Sequence, residues 1–149
     1  VRAGRERGAS LIELALVFPV MALIVFGVLD LGRGYQLHLR AEAAAREGVA
    51  FAQIHPNHVV CADGPDIVAS VSAEEEGLAQ RPGFDVEVLA QDDSGAWVEI
   101  SGCDGDGAQP GERVRVEVTV TYDVLTPIVE RVVGATIDLT GDAEARVQG

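Results

Sequence analysis

Residues 9–29 carry one formal charge, Glu13, and the run from Leu14 to Leu29 carries none. As a helix rising about 1.5 Å per residue, such a stretch is roughly 30 Å long, enough to cross the hydrocarbon core of a bilayer. It constrains the fold more than any other feature, because a segment of this kind is either removed or kept in lipid. Arg2, Arg5 and Arg7 resemble the basic flank of a removable signal peptide. Against removal, the apolar run exceeds the usual core of such a peptide. The following Val28-Leu29-Asp30-Leu31-Gly32-Arg33 also offers no small-x-small cleavage site. We therefore expect a retained span over residues 9–30, behind a basic leader of residues 1–8. Basic residues beside a first span stay on the cytoplasmic side, so residues 31–149 are expected to form a domain outside the cytoplasm.

Glu13 is the odd residue in this span. A lone carboxylate near the end of a spanning helix costs up to about 2.5 kcal/mol on insertion scales, and less near the interface. It is innocent if it sits at headgroup depth or is protonated in lipid. Its neighbours suggest a third reading, since cutting the Gly8-Ala9 bond would free an amine at Ala9 and make Glu13 the fifth residue of the product.

Three blocks are linked here: Arg7-Gly8-Ala9-Ser10-Leu11-Ile12-Glu13-Leu14-Ala15-Leu16, then Phe26-Gly27 through Asp30-Leu31-Gly32-Arg33, then Ala43-Ala44-Ala45-Arg46-Glu47-Gly48-Val49-Ala50. Together they occupy about a third of the chain and are far more specific than any one alone. The basic leader, glycine, glutamate and long apolar helix resemble the N-terminus of type IV pilins and pseudopilins. The three blocks look most like the TadE-like proteins of tight-adherence, Flp-type, pilus systems. In processed members of that system an aromatic residue typically follows the glutamate, whereas here Leu14 follows. The resemblance implies a prepilin peptidase acting between Gly8 and Ala9, and Glu13 meeting the N-terminal amine of a neighbouring subunit. In a low-dielectric setting such a pairing offsets the desolvation of both charges. Also implied are other pilin-like subunits and an inner-membrane assembly platform as partners, a bacterial cell membrane as the location, and a route into an extracellular pilus.

Charge is unevenly spread. The three leader arginines cancel Glu6, Glu13 and Asp30, so the net charge of −13 lies wholly in residues 31–149. That excludes the basic surface a nucleic-acid binder needs and disfavours docking on anionic headgroups, leaving membrane lipid as a partner of the span alone. Cys61 and Cys103 fall in the part placed outside the cytoplasm, where a bridge is expected over free thiols.

Helical character continues past the span. Residues 35–53 are rich in alanine and lack proline, and Ala41, Ala44 or Ala45, Gly48 and Ala52 recur at three-to-four spacing as one smooth face. That face fits a sheet of the same molecule or a helix of a neighbour. A continuous helix from Leu11 to Gln53 would be about 65 Å long, stopping before Pro56, with Pro19 as a possible kink. Asp30 and Arg33, three apart, suit an ion pair at the membrane exit. A short helix over 65–80 is expected, capped by Asp63 or Gly64, with Glu74-Glu75-Glu76 as a solvated face. Alternation then takes over: 84–88 and 97–101 flank a polar turn as a hairpin, 114–122 is the clearest strand, and 135–147 lies beside it after a helical crossover at 126–134. The fold class is α+β, a long helix packed on a small antiparallel sheet of three to four strands, pilin-like.

The remaining constellations carry little chemistry. His55, His58 and Cys61 lack a fourth ligand nearby, so no metal site is assigned. Asp104, Asp106 and Glu112 miss the twelve-residue calcium-loop spacing. No nucleophile–base grouping or phosphate-cradling loop is signalled, so neither catalysis nor a cofactor is expected. The function classes left are a pilin-like structural subunit and a single-pass extracytoplasmic binding module, with an enzyme of unsignalled site a distant third.

Overall fold

The computed structural model describes residues 3–61, 65–74, 77–103 and 107–148. Asp63, Gly64, Glu75, Glu76, Asp104 and Asp106, all invoked above, lie outside them. The chain runs through α1 (Ala3–Ala52), α2 (Ile67–Glu74), β1 (Asp85–Gln91), β2 (Trp97–Glu99), β3 (Arg113–Asp123), α3 (Pro127–Val133) and β4 (Thr136–Arg146). This is the expected α+β architecture, with four antiparallel strands in the order β2-β1-β3-β4.

α1 is longer than the sequence suggested: it begins at Ala3 rather than Leu11 and runs unbroken through Pro19 for 50 residues. Alanine, arginine and glutamate in the leader are good helix formers, so the helix extends back past the first apolar residue. Its end comes where expected, in a turn at Gln53-Ile54 just before Pro56.

The small-residue face of α1 lies on its own sheet. Ala41, Ala44, Ala45 and Ala52 are fully buried, against a β3 whose Val114, Val116, Val118 and Val120 are also fully buried. At Gly48 an added Cβ would stand 2.6 Å from Val71 and 3.1 Å from Val116, so helix, α2 and sheet meet there without room for a methyl group. Gly141 on β4 faces the backbone of Ala41 and Glu42 more closely still. Strict alternation in β3 sends the valines to this core and Arg115, Glu117, Thr119 and Thr121 to the opposite face.

α2 is shorter than the expected 65–80, and Asp66 caps it; the expected Asp63 and Gly64 lie outside the described residues. Asp66 Oδ1 accepts the amide of Ala69 (2.5 Å) and Oδ2 that of Cys61 (2.9 Å). In the β1–β2 turn, Asp92 Oδ1 accepts the amides of Ser94 and Ala96, both at 2.9 Å, and the Ser94 hydroxyl. These bonds hold the Asp92 carboxyl below its ordinary value, the Ser94 hydroxyl contributing most.

Candidate functional site

Among the described residues one helix, α1, is long and apolar enough to cross a membrane. Its side chains from Leu11 to Leu29 are almost all exposed, the large apolar ones included. A folded domain does not leave such a surface in water, so the segment is built to be covered by lipid or by other apolar helices. Glu13 is exposed within that surface, between Ile12 and Leu14, which are themselves 72% and 61% exposed. Gly8 and Ala9 lie in the first turns of the same helix.

At the far end of the apolar run the structure departs from the expected Asp30–Arg33 pair. The Asp30 side chain is buried and turns toward the connector between β3 and α3. Its Oδ1 accepts the Tyr122 hydroxyl at 3.1 Å and the Leu125 amide at 3.2 Å, and its Oδ2 accepts the Thr126 amide at 2.9 Å. The Tyr122 hydroxyl lies 3.2 Å from the Asp30 carbonyl oxygen as well. A buried carboxylate is tolerable only when its oxygens are satisfied, and one donor from the end of β3 and two from the connector do so. The result is a clamp fixing the start of α3 against the end of the apolar run of α1. Burial raises the Tyr122 phenol above its ordinary value, and the hydrogen bond to Asp30 adds to the shift.

Two grooves flank the clamp. The larger, about 620 Å³, lies between α1 (Gly27, Leu31), α3 (Val129, Val133) and β4 (Ile137, Leu139), and its lining is almost wholly apolar. The second has Phe26 and Leu29 on one wall and Leu125 and Pro127 on the other.

At the opposite end of the domain Cys61 and Cys103 are joined by a disulfide, their Cα atoms 5.2 Å apart. It ties the α1–α2 connector to the β2–β3 loop, where the Val59 amide also donates to Gly102 at 3.1 Å. His58 lies with the two sulfurs inside 4.8 Å, but sulfurs joined in a disulfide offer no thiolate to a metal. His55 stacks on Phe51 instead, ring centroids 4.7 Å apart.

On the open face of the sheet, Arg115 is a hub that the sequence did not single out. Its guanidinium bonds Glu144 across the β3–β4 pair and Glu117 at 3.3 Å, and lies 4.4 Å above the Trp97 ring. Glu144 does most to hold it above its ordinary value, with Glu117 adding to the effect. Cross-strand register supplies this cluster, and register is not visible in a single strand's sequence.

No curated protein and no solved structure matches the chain. A family comparison does find a match, and it falls on the candidate membrane span and its buried extension: residues 8–50, from the glycine of the candidate cleavage bond to the small-residue face of α1, match the model of the TadE-like protein family.

Proposed function

We propose that the protein is a membrane-anchored, pilin-like structural or assembly subunit of a tight-adherence type IV pilus, with its α+β domain outside the cytoplasm. The observation that carries this reading is Glu13, a carboxylate set among exposed apolar side chains of a span-length helix, inside the segment that matches TadE-like proteins. Alone in lipid the charge is penalised. Beside the free Ala9 amine of a second copy, released by a prepilin peptidase cutting after Gly8, both charges are compensated. The rest of α1 supports the same division of labour. Its alanine and glycine face is used on its own sheet, which leaves the span as the long apolar surface of the helix for neighbouring subunits and the inner-membrane assembly platform.

The test is substitution of Glu13 in cells that assemble the fibre. Glu13→Ala is expected to reach the membrane at the wild-type level and to be missing from sheared fibres. N-terminal sequencing of the membrane-borne protein is expected to begin at Ala9. Wild-type incorporation by Glu13→Ala overturns the reading and leaves a tethered extracytoplasmic module in its place.

A further inference from the structure

We propose that α3 and the groove beside it form a lipid-docking surface: Leu125, Ile128, Val132 and Val133 enter the headgroup–acyl boundary, and an acyl chain of a bilayer lipid fills the groove between α3 and α1. The inference rests on α1 spanning the membrane and is independent of pilus assembly.

Depth is the first argument. Phe26 and Leu29 belong to the uncharged run of the span, and they share a groove with Leu125 and Pro127. Gly27 and Leu31 share the larger groove with Val129 and Val133. At about 1.5 Å per residue, Phe26 and Asp30 differ in height by only about 6 Å. Whatever lines a groove with Phe26 therefore sits at the edge of the hydrocarbon. The Asp30 clamp makes this placement a fixed property of the fold, because three donors from Tyr122, Leu125 and Thr126 hold the connector to the span.

Surface chemistry is the second. α3 has no buried residue, and beside the exposed Glu130 and Arg131 it turns apolar side chains outward: Val132 is 83% exposed, Ile128 53% and Val133 49%, with Leu125 of the preceding connector at 57%. A surface helix normally turns such residues inward. Here the inward side faces a groove that is itself apolar, so both faces of α3 call for an apolar medium. The patch meets the exposed surface of the span at the second groove, which Asp30, Arg33 and Thr126 also line, and the medium that covers Phe26 and Leu29 reaches α3 there. Glu130 and Arg131 are its only charged residues and cancel, so attachment depends on burial of apolar side chains, about 5–10 Å deep as in other interfacial helices, and not on anionic headgroups.

Full-length protein with Trp97→Phe, carrying a single new tryptophan, tests this in phosphatidylcholine vesicles whose acyl chains are brominated near the carbonyl end. Val132→Trp and Ile128→Trp replace exposed side chains, so the fold has room for both; Phe18→Trp, at mid-span, reports the span in parallel vesicles brominated near the methyl end of the chains. The expected result is a blue-shifted emission at positions 132 and 128 and loss of most of it to bromine, equally in zwitterionic vesicles and in ones doped with phosphatidylglycerol. Quenching at 18 with none at 132 and 128 overturns the inference while α1 still spans. An unquenched 18 overturns both. Quenching at 132 and 128 that fades as protein is crowded at fixed lipid, while 18 stays quenched, shows a second copy of the chain covering the surface and overturns lipid as the occupant.

Discussion

Asp30 and Tyr122 stand 92 residues apart in sequence and meet in a 3.1 Å hydrogen bond at the point where the span joins the domain. Tyr122→Phe keeps the ring packed and removes only the hydroxyl, leaving Asp30 with its two amide donors. A loss of about 1.5 to 3 kcal/mol at neutral pH is expected, the usual worth of a hydrogen bond to a charged group, measured by chemical denaturation in detergent. The same residue gives a pH signature. A phenol whose folded-state pKa is raised contributes stability that is complete below its unfolded value, about 10, and is lost as pH climbs through the folded value. Wild-type protein is therefore expected to lose more stability above about pH 10 than Tyr122→Phe does. Equal losses in the two proteins would show that Tyr122 ionisation is not linked to folding.

At the level of elements, the contact between α1 and the sheet depends on absent side chains. Gly141→Ala would drive a Cβ into the backbone of Ala41 and Glu42, which no rotamer change relieves, and a destabilisation of about 3 kcal/mol is expected. Gly32→Ala is the matched control: a Cβ there meets nothing within 4 Å, so thermal unfolding should be unchanged or slightly raised. The disulfide acts at the other end of the domain. It closes a separation of 42 residues, so replacing Cys61 and Cys103 together by serine should cost about 4 kcal/mol in the chain-entropy account, checked by thermal melts with and without reductant. Sequence showed these elements unevenly. The face Ala41, Ala44, Ala45, Gly48, Ala52 and the alternation Val114 to Tyr122 were legible because each is a local period that burial enforces. Asp30 was assigned to Arg33 because a partner three residues away is visible in a sequence and one on β3 is not. Asp66 as the cap of α2 was not read from the sequence, because Pro65 drew the expected helix start too early. Glu13 stood out at once, since a charge inside an apolar run is conspicuous without any structure.

Across the whole molecule, two electrostatic effects oppose each other in the proposed assembly. The net charge of −13 is confined to residues 31–149, so neighbouring domains repel across water over a Debye length of about 8–10 Å at physiological ionic strength. Glu13 sits in the span, where the surroundings hold few mobile ions and an ion pair with a neighbour's amine is little screened. Salt therefore weakens the repulsion and leaves the attraction nearly untouched. Self-association of the protein beginning at Ala9, followed by sedimentation in a neutral detergent, is expected to increase as ionic strength is raised from ~0.01 M to ~0.15 M. Glu13→Ala should stay dispersed at both, because removing the repulsion gains nothing once the pairing is gone. Association that falls with salt in the wild type would place the holding contacts between the exposed charges of the domains and not in the span.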